Sequence, residues 1–344
     1  MSEKQRTGKI GEATIRDVAR VAQVSVASVS RALNGLSNVR GETRDRIMAA
    51  VAALGYVPHA GARSLSLSRA HSIGVVLPDL HGEFFSECVR GMDREASRRG
   101  YVLLLSNMHG DGEKAALALR AMHGRVDGLI VMAPHISAAS LDRALPASLP
   151  VVLINSPSAG RNQARMCFDN AAGVDAVIRH LVDSGHREIV HIAGPEDNLD
   201  AHERKQAYID AMHRHAPGVE PRIVPGDFTE AAGEHAAEVI MADPRRTDAL
   251  FAANDGMALG ALQILRRAGK QVPGDIALAG FDDVPMARYL DLTTVRVRIA
   301  ELGARAVERL IDRLEGKSHD LNMERQMPEL VARATSGPAR HDHD

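Results

Sequence analysis

The stretch TIRDVARVAQVSVASVSRALNG, Thr14–Gly35, repeats apolar residues at helical spacing in two short runs. Thr14 is placed to cap the first run, and Asp17, three residues on, completes a capping-box arrangement, with Ile15, Val18, Ala19 and Ala22 on one face. Gln23-Val24 supplies the turn. Ser25 caps the second run, from Val26 to Leu33, in which Val29, Ala32 and Leu33 point inward while Val26, Ala27, Ser28, Ser30 and Arg31 look outward or along the edges. A third helix, from about Glu42 to Leu54, places Ile47, Ala50, Val51 and Leu54 at the same spacing. Three such helices make a minimal helix-turn-helix bundle, whose second helix enters the DNA major groove by its N-terminal residues. The hydroxyls of Ser25, Ser28 and Ser30 suit phosphates, and Val26 and Ala27 offer only apolar contact, as to a thymine methyl. Arg31 is the one long donor able to grip a guanine edge. The candidate DNA-contacting set is completed by Thr14, Asn34 and His59.

Charge supports this reading. Residues 1–70 hold eleven Lys/Arg against five Asp/Glu, a net +6, and the remainder of the 344-residue chain carries −8. A basic head on an acidic body implies that the head meets a polyanion. The chain is long enough for two or three units of about 150 residues. Its 45% hydrophobic and 25% charged composition is that of an ordinary globular protein, and its 3% aromatic content calls for a core of Ala, Val, Leu and Ile. The polar start carries no signal-peptide pattern and no stretch approaches a membrane span, so a cytoplasmic protein without membrane contact is expected. Cys88 and Cys167 lack any metal-ligand spacing and read as small packed hydrophobes. No metal and no cofactor is expected.

From Ser72 onward the pattern changes to short apolar runs alternating with amphipathic helices. The expected strands are Ile73–Leu77, Val102–Leu105, Gly128–Met132, Val151–Ile154, Ile189–Ala193, Ala249–Ala253 and Ile276–Phe281. Helices such as Phe84–Arg99, Ala171–Ser184, Ala232–Met241 and Met257–Ala268 lie between them. Near-continuous apolar strands joined by helices imply parallel sheets buried on both faces. The polar stretch from Ser156 to Met166 divides them into two doubly wound lobes, with a ligand cleft at the carboxyl ends of the strands. The segment GPEDNLDAHERKQAY, Gly194–Tyr208, brings Asn198, Asp200, His202 and Arg204 close together and is a candidate source of specificity. Asp255 reads as a cap for the helix that follows it.

The chain resembles the LacI family of bacterial repressors. The resemblance rests on Thr14–Gly35, ETRDRI at Glu42–Ile47, LGYVP at Leu54–Pro58 and ARSL at Ala62–Leu65. It continues in SIGVVLPD at Ser72–Asp79, FDN at Phe168–Asn170, GHREI at Gly185–Ile189, AAND at Ala252–Asp255, VPGDIALAGFDD at Val272–Asp283 and LTTVR at Leu292–Arg296. The fold it implies is an all-α helix-turn-helix head plus an α/β body of two doubly wound parallel-sheet lobes of the periplasmic-binding-protein type. The expected organisation is a disordered extension at 1–13, the DNA-binding domain at 14–57, a hinge helix at 58–70 and the effector-binding and dimerisation domain at 71–340. The resemblance implies that Leu65, with Ala62 beside it, wedges into the operator minor groove. Gly61 weakens such a helix, and Ser66 stands where some relatives carry a basic residue.

The same resemblance puts Phe84 and Phe85 at the cleft mouth, with ordinary helix-to-sheet packing as their competing reading. Asp79 and Asn155 end strands on that lobe, and Arg204, Asn254 and Asp282 fall where similar proteins face the effector. Together with Asn198 and Asp200, these groups suit the vicinal hydroxyls of a sugar. An arginine-to-glycine spacing expected here has Ala207 in place of the glycine. The implied function is a transcriptional regulator, a homodimer on pseudo-palindromic operator DNA, modulated by a saccharide effector. Two alternatives stay open at this point: control by a protein co-repressor, and a small-molecule binding protein with no regulatory role. An enzyme is disfavoured because the chain has no phosphate loop, nucleophile elbow or H-E-x-x-H helix.

Overall fold

The computed structural model describes residues 13–33, 39–56, 70–108, 112–157 and 163–337. Asn34, His59, Ala62 and Leu65, the hinge stretch around them and the expected N-terminal extension up to residue 12 lie outside the described residues. The chain divides into two compact units, Met1–His71 and Ser72–Asp344.

In the first unit α1 (Ile15–Val21), α2 (Val26–Leu33) and α3 (Gly41–Leu54) enclose a core of Val18, Ala19, Ala22, Val29, Ala32, Ile47, Ala50 and Tyr56. The capping box forms as the spacing requires. The Thr14 backbone N–H donates to Asp17 at 3.0 Å, and the Asp17 N–H donates back to the Thr14 hydroxyl at 3.4 Å. These bonds and the nearby Arg20 hold the Asp17 carboxyl down at about 2. Gln23 turns the chain with φ +53, which frees Ser25 to accept from the Ser28 N–H at 3.1 Å and start α2. Gly55, at φ +57, closes α3 with its own N–H on Ala52 and that of Tyr56 on Val51, a Schellman ending.

The second unit is a two-lobed α/β body. In the first lobe six parallel strands run in the order β11 (Met323–Gln326), β5 (Gln163–Phe168), β4 (Val151–Ile154), β3 (Gly128–Met132), β1 (Ser72–Leu77) and β2 (Val102–Asn107). In the second, four parallel strands run β7 (Arg222–Val224), β6 (Ile189–Ile192), β8 (Ala249–Ala252) and β9 (Ala277–Ala279). An antiparallel pair, β10 (Thr294–Arg296) with β12 (Glu329–Val331), lies beside them. The runs SIGVVL, GLIVM, VVLI, IVHI and ALFA are buried along their whole length, because helices cover both faces of each sheet. Two of those helices, α4 (Glu83–Arg98) and α12 (Ile299–Leu314), approach so closely that a Cβ on Gly91 would strike the Ala300 carbonyl. Cys88, also on α4, is buried there, and burial pushes its thiol up to about 12.

Three expectations are corrected. The lobes do not part at 156–166: β5 begins at Gln163 and stays in the first sheet, since its side-chain alternation pairs it with β4. The chain crosses between lobes three times instead: after β5, between β10 and α12, and between β11 and β12. Sequence reading missed β5, β7, β10, β11 and β12, which are short or carry charges. Val102–Leu105 is not buried on both faces: β2 is an edge strand, and Val102, Leu104 and Leu105 are exposed. Asp255 does not cap α10 (Asp255–Arg267). Asn254 does, accepting from the Met257 N–H at 2.9 Å, while Asp255 is buried and accepts from the Val284 N–H at 2.9 Å and the Thr294 hydroxyl. Burial and the neighbouring Asp282 raise the Asp255 carboxyl well above its ordinary value.

Candidate effector cleft and DNA-contacting face

On the head, Thr14, at the start of α1, and Ser25, Val26, Ala27 and Arg31 are exposed, and Ser28 and Ser30 half-buried. Ser25 and Ser28 share a hydroxyl contact at 2.9 Å. Folding buries Val29 and Ala32 of α2, packs Leu33 partly against the same core, and leaves Val26, Ala27 and Arg31 to water.

A cavity of about 460 Å³ opens between the lobes of the body, at the carboxyl ends of β1, β3, β4, β6 and β8. All nine residues expected at the effector line it: Asp79, Phe84, Phe85, Asn155, Asn198, Asp200, Arg204, Asn254 and Asp282. His202 does not. Their roles in the fold differ. Arg204, on α8 (Leu199–His215), is 4% exposed; its Nε donates to Asn170 Oδ1 at 2.9 Å and its Nη1 to the Ala253 carbonyl at 2.6 Å, with Asp282 Oδ1 at 3.5 Å. The guanidinium lies over the Phe281 ring, 3.8 Å from its centre. Nη2 of Arg204 and Oδ2 of Asp282 make no bond to any described residue. Burial lifts the Asp282 carboxyl to about 7, against the pull of Arg204. Burial also raises Asp200, with Arg204 opposing.

The amides are mostly committed elsewhere. Asn254 caps α10 and donates to the Phe228 carbonyl at 2.9 Å. Asn198 caps α8 through Ala201 N–H at 3.0 Å. Asn155 accepts from the Phe168 N–H at 3.3 Å. Phe84 lines the cavity and packs edge-on against Phe168 at 6.3 Å, so both readings of that ring hold at once.

Sequence reasoning missed Met132, Pro134, His135, Pro195, Asp227 and Phe228 on the cavity wall. His135, in the loop after β3, reaches the second lobe: Asn198 Nδ2 lies 3.3 Å from its Nε2 and Asp197 Oδ1 3.3 Å from its Nδ1. The Asn198 oxygen is held by Ala201, so its nitrogen faces the ring, Nε2 accepts, and Nδ1 carries the hydrogen. Leu199 N–H to Pro134 O, at 3.1 Å, bridges the lobes beside it. On the far flank Met286 N–H donates to Glu83 at 2.9 Å. Phe228 was signalled only by its backbone: it, Asn155 and Asp282 hold φ of +74, +42 and +116. The Phe228 ring rests on Gly194, where a Cβ would meet it at 2.5 Å.

A second cavity of about 400 Å³ lies beside α11 (Pro285–Tyr289). Its Arg296 and Arg333 are paired with Asp283, each at 2.6 Å.

Residues 14–59 match the family described as "Bacterial regulatory proteins, lacI family", and residues 178–336 match "Periplasmic binding protein-like domain". The ribose operon repressor of Escherichia coli K12 is 36% identical over 310 residues, covering 88% of this chain and 93% of the repressor. The lac repressor dimer bound to operator and the anti-inducer ONPF superposes with a TM-score of 0.84 at 27% identity, covering 94% of this chain and 99% of that one. The complex of the transcriptional regulator CelR with cellobiose superposes with a TM-score of 0.69 at 29% identity, with the same coverage.

Proposed function

Given that the chain belongs to the LacI family and is a DNA-binding transcriptional regulator rather than an enzyme, we propose that it is a repressor whose operator affinity is set by a saccharide bound between the lobes. The observation that carries the effector assignment is the pair of free groups at the cavity floor. Arg204 Nη2 is a donor and Asp282 Oδ2 an acceptor, held side by side by buried bonds. Adjacent hydroxyls present a matching acceptor and donor, and the rings of Phe84, Phe85 and Phe228 supply apolar walls for a sugar's C–H face. The bound sugars and sugar-named operons of the similar proteins point the same way.

The head contacts operator DNA through Ser25, Ser28, Ser30 and Arg31, with Thr14, Val26 and Ala27 at its edge, and Asn34, His59, Ala62 and Leu65 extending the set. A homodimer is supported by the exposed apolar edge of β2 together with Leu117, which is 62% exposed. Two heads call for a pseudo-palindromic operator, and a regulator that meets its operator directly works in the cytoplasm. The effector acts by its preference between two arrangements of the lobes.

The test is selection from a palindromic DNA library at fixed salt, with and without a panel of mono- and disaccharides. Recovery of a palindrome whose binding one sugar shifts supports the whole reading. A palindrome that no small molecule shifts, but that a protein fraction does, transfers control to a co-repressor. Within the operator complex, Leu65→Ala weakens specific binding more than non-specific binding; equal losses remove the wedge role.

A further inference from the structure

We infer that the cleft is built for an uncharged, polyhydroxylated effector and selects against the phosphate ester of the same sugar; this rests on the saccharide reading above. Among the described residues four carboxyl groups line the cavity, Asp79, Asp200, Asp227 and Asp282, and a single guanidinium, Arg204, stands against them. That guanidinium is already spent on Asn170, Ala253 and Asp282 and on the face of Phe281, leaving one nitrogen free, beside an acid. A phosphate dianion is held by a bidentate arginine fork or by several cations together, and neither is offered here. Both ring nitrogens of His135 already have partners in the second lobe.

Helix N-termini are the other common device for binding phosphate, since their first N–H groups are free to donate. In this cleft side chains of the chain itself cap three such ends. Asn198 caps α8 and Asn254 caps α10, and both line the cavity. Next to Phe228, Thr229 caps α9 (Glu230–Ala242) through the Ala232 N–H at 3.1 Å. α4 has Gly82 at its N-cap and no side-chain cap, and in the loop leading into it the backbone N–H groups of Leu80 and His81 donate to Asp79, at 2.7 and 3.1 Å. Asp227 likewise takes the Thr229 N–H at 2.8 Å. Three of the helix ends at the cavity and the N–H groups of Leu80, His81 and Thr229 thus already serve a cap or an acid of the protein. A hydroxyl needs no such donor cluster: it meets one acceptor and one donor at a time, as Asp282 Oδ2 and Arg204 Nη2 provide.

The experiment uses the full-length chain on its selected operator at constant ionic strength. It compares the responding sugar with two derivatives at the same hydroxyl, the phosphate ester and the acetyl ester. The phosphate ester is expected to need at least about tenfold more ligand than the acetyl ester for the same shift in DNA binding, the tenfold being an ordinary single-interaction difference. Asp227→Asn narrows that ratio, as does raising the salt, because both weaken the repulsion at the cavity mouth. A phosphate ester acting at the same or lower concentration than the acetyl ester overturns the inference while leaving the saccharide reading intact. Equal exclusion of both esters also overturns it, by assigning the discrimination to size. Silence from every sugar and ester removes the saccharide reading itself, and this inference with it.

Discussion

On the head, Ser25, Val26, Ala27 and Arg31 lie in water and contribute little to the three-helix core, which is made of other positions on the same helices. In the cleft, Asn155, Asn198, Asp200, Arg204 and Asn254 all face a ligand cavity and at the same time hold the fold together by hydrogen bonds. Loss of Val26, Ala27 or Arg31 should therefore remove one contact and nothing else, whereas Ser25 also caps α2. Loss of a cleft residue should disturb ligand binding and protein stability together. The difference arises because DNA is met by a convex surface, whereas a small ligand must be enclosed by groups drawn from several elements.

The largest expected effect is in the cleft. Arg204→Ala abolishes the effector response measured by operator titration and lowers the melting temperature, since it breaks a buried charge pair of a kind worth about 3–5 kcal/mol. An intact response would place the ligand elsewhere, and an unchanged melting temperature would show that Asp282 absorbs the loss by protonation. Next is the head: Arg31→Ala lowers specific operator affinity by about 1–3 kcal/mol, with a much smaller change on random DNA and no change in melting temperature. A matching fall on both DNAs would reduce Arg31 to a phosphate contact.

The third prediction concerns pH. The folded Asp282 carboxyl titrates at about 7, against about 3.9 for an unfolded Asp, so between those values the folded state holds the extra proton. Its contribution to stability is full below pH 4, falls as pH rises toward 7 and is flat above. The melting temperature is accordingly higher at pH 5 than at pH 8, and Asp282→Asn flattens that part of the profile; a variant that tracks the parent at both values would assign the slope to another group. The smallest effect is expected from His135→Ala, which removes cross-lobe bonds of about 1 kcal/mol in all and weakens effector affinity about fivefold. Unchanged affinity would make the bridge incidental to closure.

The head was legible because its signals are local. Thr14 and Asp17, and Ser25, act within four residues of where they stand, and the fold follows them. The inner strands of both sheets were legible for the same reason, as continuous apolar runs. What failed was non-local. β5, whose residues alternate as Gln163, Arg165 and Cys167 against Ala164, Met166 and Phe168, is a strand only because β4 and β11 flank it. His135 and Asp227 carry no pattern of their own; their place on the cavity wall exists once the chain has crossed between the lobes. Asn254 and Asp255 show the limit most closely, because each can cap a helix and only the burial of Asp255 against Thr294 decides between them.

The three crossings between lobes touch one another. Asp169 N–H donates to the Gln326 carbonyl at 3.0 Å, tying the first crossing to the third, and Glu329 reaches Arg296 at 3.6 Å and Arg298 at 3.8 Å, tying the third to the second. A single tether would let one lobe swivel freely over the other, and two would still permit twisting. Three side by side act as a piano hinge: they leave one easy rotation and resist sliding and torsion. Ligands of different shapes therefore reach the rest of the molecule as a single scalar, an angle of opening, and the cleft can change its chemistry over evolutionary time without the message changing its form.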